Sequence, residues 1–158
     1  MLQNFFFLIL SIVCLSNCKD TPKPQEEPLA EKESIPAVAG ECYLSVIGKD
    51  SVLLQLVIEN NSAAGQLHYR FFEKDKSGGT IFGNMKGDTL LADYKFISEG
   101  MESEREVVFI KQGDAFIEGT GELEDREGRV VFKDYSTVTF NGSPMQKTDC
   151  ATLSWYFK

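Results

Sequence analysis

Thr89-Leu90-Leu91-Ala92-Asp93-Tyr94-Lys95-Phe96-Ile97 decides the fold. Leu90, Ala92, Tyr94 and Phe96 fall on one parity, and Leu91, Asp93 and Lys95 on the other. Successive side chains of a strand point to opposite faces, so this spacing describes a strand with one buried face. Val52, Leu54, Leu56 and Ile58 alternate in the same way, as do Leu67, Tyr69 and Phe71. No window carries a helical stripe. Between the runs stand Gly48-Lys49-Asp50, Lys86-Gly87-Asp88 and Gln112-Gly113-Asp114, with Lys76-Ser77-Gly78-Gly79 and the looser Asn60-Asn61-Ser62. Glycine supplies a positive φ and aspartate bonds the neighbouring backbone, so these read as reversals. Strands are expected near 41–47, 51–58, 65–73, 79–85, 89–97, 104–111, 115–123, 129–140 and 151–157.

Sequential hairpins make an antiparallel meander of about eight to nine strands. A meander this long curls, and closure removes its unpaired edges. The fold class expected is therefore all-β, an up-and-down barrel, with a two-sheet β-sandwich as the alternative. Cys42 lies on the first strand and Cys150 just before the last expected one, so closure brings them together. An even pair in an oxidising compartment suggests a disulfide. In layout the chain resembles lipocalin-like (calycin) barrels, although it has no Gly-x-Trp at the first strand.

The N-terminus speaks to location. Phe5 to Leu15 reads FFFLILSIVCL, about half the length that spans a bilayer and suited to the apolar core of an export signal. Leu15-Ser16-Asn17-Cys18 follows and resembles the lipobox of bacterial lipoproteins. Asn17 stands where Gly, Ala or Ser is usual, as in the looser lipoboxes of Bacteroidetes, and the four residues before Phe5 carry no Lys or Arg. The resemblance implies cleavage before Cys18, a diacylglycerol on its thiol and acylation of the new amine. Lys19 to Pro36 holds four of the five prolines and many charges. Such a composition cannot bury enough surface to order itself, so a solvated tether is expected. The domains read as a signal peptide over 1–17, a tether over 18–37 and a β-barrel over 38–158. Localisation follows as the cell envelope, lipid-anchored at the outer membrane, on either its periplasmic or its surface face.

The net charge is −8, and no charged side chain precedes Lys19. An acidic surface repels phosphate backbones, which argues against nucleic-acid partners. One histidine and the absence of any CxxC pair argue against zinc. No Ser or Cys forms a nucleophile motif with His68, which is expected on the solvent face beside Gln66 and Arg70. Glu122, Glu124, Asp125 and Glu127 gather at an expected hairpin without the spacing of a calcium loop. No enzyme activity, metal or cofactor is expected.

The candidate site is the barrel interior. Tyr69, Phe71, Tyr94 and Phe96 share the inward parity. They line a pocket with polar tips or simply fill the core. Arg105 is aligned with Val107 and Phe109 and points inward, near the turn that carries Glu99 and Gly100. It holds an anionic ligand group bidentately, or it is paired with Glu99 or Glu73. The expected function is a membrane-anchored, non-enzymatic module, monomeric, binding a small apolar or amphipathic ligand or an envelope protein. The alternative is a structural or interaction domain with a solid core; a carboxylate-dependent hydrolase ranks last.

Overall fold

The computed structural model describes residues 40–74, 76–153 and 156. The expected signal peptide, Cys18 and the expected tether lie outside these residues. Ten strands are formed: β1 (Glu41–Ile47), β2 (Asp50–Glu59), β3 (Ser62–Arg70), β4 (Lys76–Lys86), β5 (Thr89–Ser98), β6 (Met101–Gln112), β7 (Ala115–Glu118), β8 (Leu123–Arg126), β9 (Arg129–Phe132) and β10 (Met145–Thr148). β1 to β6 form an uninterrupted antiparallel meander, β7 follows β6, and β10 sits between β7 and β1. Eight strands thus close on themselves as an antiparallel barrel, consistent with a lipocalin-like layout and excluding the sandwich. β8 and β9 are an additional hairpin outside this wall, with Arg105 of β6 paired in parallel to Val130 of β9.

The alternation read from sequence is the inside–outside alternation of the wall. Tyr43, Leu54, Leu56, Leu67, Tyr69, Ile81, Leu90, Ala92, Tyr94, Val107, Phe109, Phe116 and Met145 form one continuous buried cluster in the interior. A small barrel needs strong coiling of its strands. At Gly79 a Cβ would lie 1.9 Å from the Lys95 carbonyl oxygen, so only glycine lets β4 bend this closely onto β5. Phe96 stands directly opposite Gly79 in the register. Outside the wall, Leu53, Cys42, Leu153 and Tyr156 form a second cluster, where the 3₁₀ turn Cys150–Leu153 packs on β1 and β2. β2 is therefore buried on both faces.

Cys42 and Cys150 are joined, with Cα atoms 5.3 Å apart. Their meeting depends on β10, which pairs Thr148 with Cys42.

Several expected boundaries need correction. Lys76-Ser77-Gly78-Gly79 is not a turn but the start of β4; the reversal lies just before it. Two adjacent glycines survive in this strand because neighbours fill their space: the His68 ring covers Gly78, whose Cβ would lie 2.4 Å from Nδ1. The run 115–123 breaks after Glu118, and 129–140 shortens to β9 followed by a 3₁₀ turn over Tyr135–Thr137. Gly119 and Gly121 cause the first break by packing flush on Val108, Val138 and Phe132, where a side chain would collide. The closing strand is β10, placed before Cys150 rather than after it.

Strand alternation sorts the hairpin turns to two ends. Gly48-Lys49, the reversal between Arg70 and Lys76 and Glu99-Gly100 lie at one end, here called the mouth. Asn60-Asn61, Gly87-Asp88 and Gly113-Asp114 lie at the other, the base. Asn60 and Asn61 both take positive φ (50° and 67°), as does the Glu99-Gly100 pair (51° and 78°). Two successive positive φ values fit the two-residue turn whose twist matches that of its strands.

Candidate functional site

The inward residues nearest the mouth bring four polar groups together. Tyr69 comes from β3, Tyr94 from β5, Arg105 from β6 and Glu118 from β7. Arg105 stands directly across from Tyr94 in the register. Its Nη2 donates to the Tyr69 hydroxyl at 2.8 Å and reaches Glu118 Oε1 at 3.4 Å. The Tyr69 hydroxyl in turn donates to Glu118 Oε1 at 2.6 Å. The guanidinium lies 5.3 Å from the Tyr69 ring centre and 5.7 Å from that of Tyr94, within range of both π faces.

Arg105 does point inward, and its partner is Glu118, not Glu99 or Glu73. Glu99 is exposed in the β5–β6 turn, and Glu73 is exposed in the turn before β4. The reason is register: Glu99 lies six residues along the chain, at the tip, whereas β7 runs beside β6 and carries Glu118 on the inward parity with Phe116. Parity was the available signal, since Glu118 follows Phe116 by two.

The four aromatic candidates are brought together. Tyr94 stacks on Phe96 with centres 4.6 Å apart and planes 11° apart, and meets Tyr69 edge-on at 5.9 Å. Tyr69 meets Phe71 at 5.9 Å. Exposure rises along this series: Tyr94 and Tyr69 are buried, Phe96 is partly buried and Phe71 is exposed. Arg105 and Glu118 keep 28 and 25% of their side-chain surface in contact with solvent. Tyr94 and Tyr69 thus belong to the core, and Phe96 and Phe71 carry the aromatic series out to the open end.

Burial pushes the Tyr69 hydroxyl well above its ordinary pKa; the Glu118 carboxylate adds to this and Arg105 opposes it. Burial also raises Tyr94, against the Ser77 side chain and Arg105. Both phenols stay protonated at neutral pH and act as hydrogen-bond donors. The Tyr94 hydroxyl is sealed from solvent and has no hydrogen-bond partner of good geometry among the described residues. Both hydrogen bonds of Arg105 run from one nitrogen of its five-donor fork.

Above this floor the mouth is apolar. Val46 and Ile47 sit at the first hairpin, Phe71 and Phe72 at the second, and Ile97 and Met101 at the third, all between 40 and 67% exposed. Lys49 Nζ lies 3.6 Å from the centre of the Phe72 ring, and the Phe72 N–H donates to Asp50 Oδ1 at 2.7 Å. The first two tips are thereby tied together. The three reversals at the base present Asn, Gly and Asp instead.

A second polar cluster lies outside the wall. Asp93 and Glu106 face each other across β5 and β6. Like charges directly opposite repel, and Arg129 of β9 bridges them, 2.9 Å from Glu106 and also bonded to Asp93. Glu106 is buried and accepts further bonds from the Phe132 N–H (3.1 Å) and the Tyr135 hydroxyl (2.6 Å). Burial, followed by this bond, pushes Tyr135 up to about 12. This cluster docks the β8–β9 hairpin and the following turn onto the wall. It was not foreseen, because the charge pair depends on strand register. In that hairpin Glu124 pairs with Arg126, Glu122 with Lys133, and Asp125 accepts from the Gly128 N–H.

His68 is on the outer face, as expected, bonded to Gln66 at 3.2 Å and half-buried over Gly78. Two concavities open on the outside of the wall. One, of about 610 Å³, lies among Thr120, Glu122, Lys133, Asp134, Thr137 and Thr139. The other, of about 220 Å³, lies beside His68, Arg70, Lys76 and Tyr156.

Comparison with protein-family models, with curated proteins and with solved structures finds no match to this chain.

Proposed function

We propose that this protein is an envelope lipoprotein, tethered through lipid on Cys18 to the outer membrane, whose barrel is a non-enzymatic binding module for a small amphipathic ligand. The ligand is taken at the mouth, not in a deep cavity. One observation carries this reading: the inward aromatics grade from buried Tyr94 and Tyr69, through Phe96, to exposed Phe71, above a partly open Arg105. An apolar group would lie on Phe71 and Phe96, and a polar or anionic head would take the remaining donors of Arg105. The tyrosines, held protonated, favour hydrogen bonding over proton abstraction.

The test is native mass spectrometry of the protein released from its own envelope, followed by competition against an environment-sensitive dye. A copurifying small molecule, lost in Phe71→Ser and Arg105→Met, supports the reading. Repeated absence of ligand, with dye binding unchanged by both substitutions, overturns it.

A second reading has its own support. The interior cluster is continuous and Arg105 is already paired with Glu118, as in a structural or protein-docking domain with a solid core. That reading expects Phe71→Ser to leave small-molecule binding unchanged and to weaken capture of an envelope protein.

A further inference from the structure

We infer that the apolar mouth rests on a lipid bilayer, the same bilayer that holds the anchor. This rests on the tether reading of Cys18 but not on the ligand.

The rim is formed by Val46, Ile47, Phe71, Phe72, Ile97 and Met101, contributed in pairs by three successive hairpins at one end of the barrel. Large apolar side chains left exposed together at one end of a fold mark an interaction site. The rim is held in shape, since Asp50 and Lys49 of the first tip grip the backbone and ring of Phe72 in the second. Lys49, Lys74 and Lys76 stand around it with Asp50, Glu73, Glu99 and Glu102, so the two signs are mixed and no basic patch forms. Long lysine side chains keep their ammonium groups in the headgroup layer while their stems lie along apolar surface. Rim contact is thus apolar, and it does not need anionic lipid despite the net charge of −8.

Chain length allows this orientation. The described chain begins at Gly40, whose carbonyl lies 3.2 Å from Cys150 Sγ, toward the base of the barrel and away from the rim. Residues 19–39 separate Cys18 from that point. At full extension they reach roughly 70 Å. A strand the length of β2 is only about 33 Å long, so the anchor and the rim reach one membrane together. Linkage through a segment of this length gives an effective concentration on the order of millimolar. An apolar rim too weak to bind vesicles by itself is therefore occupied when tethered.

The test uses the chain from Cys18 onward with its disulfide intact, coupled at the Cys18 thiol to a maleimide lipid and placed in phosphatidylethanolamine–phosphatidylglycerol vesicles. Hydrogen exchange is read by mass spectrometry with and without vesicles. The expected result is exchange slowed by roughly threefold or more at 46–50, 71–74 and 97–102 and unchanged at 59–62, 86–89 and 112–115, insensitive to salt. Phe72→Ser with Met101→Ser abolishes the protection. No protection at the rim, equal protection at both ends, or rim protection that appears without vesicles as protein concentration rises overturns the inference; the last outcome means a second copy covers the rim. Supplying the lipid chemically separates this result from the tether reading. That reading fails alone if the protein from its native envelope carries no lipid on Cys18 by intact mass.

Discussion

The two ends of the barrel are built from the same element and finished in opposite ways. Both present three reversals between antiparallel strands. At the base, turns of Asn, Gly and Asp meet solvent, and the Cys42–Cys150 bond joins the first strand to the segment that follows β10. At the mouth, the turns carry large apolar side chains that the fold leaves exposed, above a hydrogen-bonded floor. A turn needs only the right backbone conformation, and Gly, Asn and Asp supply it at least cost. Apolar residues there add nothing to folding, so their concentration at one end points to contact with something else. On the proposed reading, the base serves stability and the mouth serves recognition.

Substitutions at each end separate these roles. The largest effect belongs to the base. Cys42→Ser with Cys150→Ser removes a link across 108 residues. The chain-entropy model gives up to about 4.7 kcal/mol for such a loop. Urea unfolding reads this loss, and rim protection on vesicles at temperatures below unfolding is unchanged. Next comes Gly79→Ala, whose new Cβ meets the Lys95 carbonyl; overpacking of this kind costs about 1–3 kcal/mol. The β4–β5 amides near the mouth are expected to exchange faster. Arg105→Met leaves Glu118 and the Tyr69 hydroxyl without their cation. Because both charges are one-quarter solvated, the expected loss is about 1 kcal/mol, with weakened ligand binding at the mouth.

A pH scan gives a smaller effect. Burial first, and Arg70 second, hold the His68 pKa below its ordinary value of 6.5. The folded state then binds fewer protons than the unfolded chain. Its contribution is complete above that value and is lost as the pH falls through the lower folded value. His68→Gln flattens that slope in a thermal melt. The smallest effect on stability is at the rim, where Phe72→Ser with Met101→Ser stays within about 0.5 kcal/mol. A large loss of stability there would break the comparison, since it would make the rim part of the core.

The wall of the barrel was legible because one buried face imposes a period of two, and β5 shows it residue by residue. Glu118 was legible by the same rule, from its spacing to Phe116. The Asp93–Glu106–Arg129 cluster was not, because a repulsive pair is visible only once β5 and β6 are in register. The hairpin outside the wall was also hidden. Val130, Val131 and Phe132 pack on the outer surface of a barrel already closed, and nothing in their alternation distinguishes that surface from the interior. Gly78 and Gly79 misled for a related reason: they read as a reversal until the His68 ring and the Lys95–Phe96 backbone are seen to occupy the space they leave.

The link between Cys42 and Cys150 has a mechanical consequence. Force applied between the two ends of the chain enters near Gly40, crosses from one sulfur to the other and leaves toward the C-terminus. All seven strands of the wall from β2 onward, and the hairpin outside it, lie in the covalent loop between those cysteines and off the load path. A pull on the chain therefore loads a covalent bond, while the barrel rides beside it unstretched.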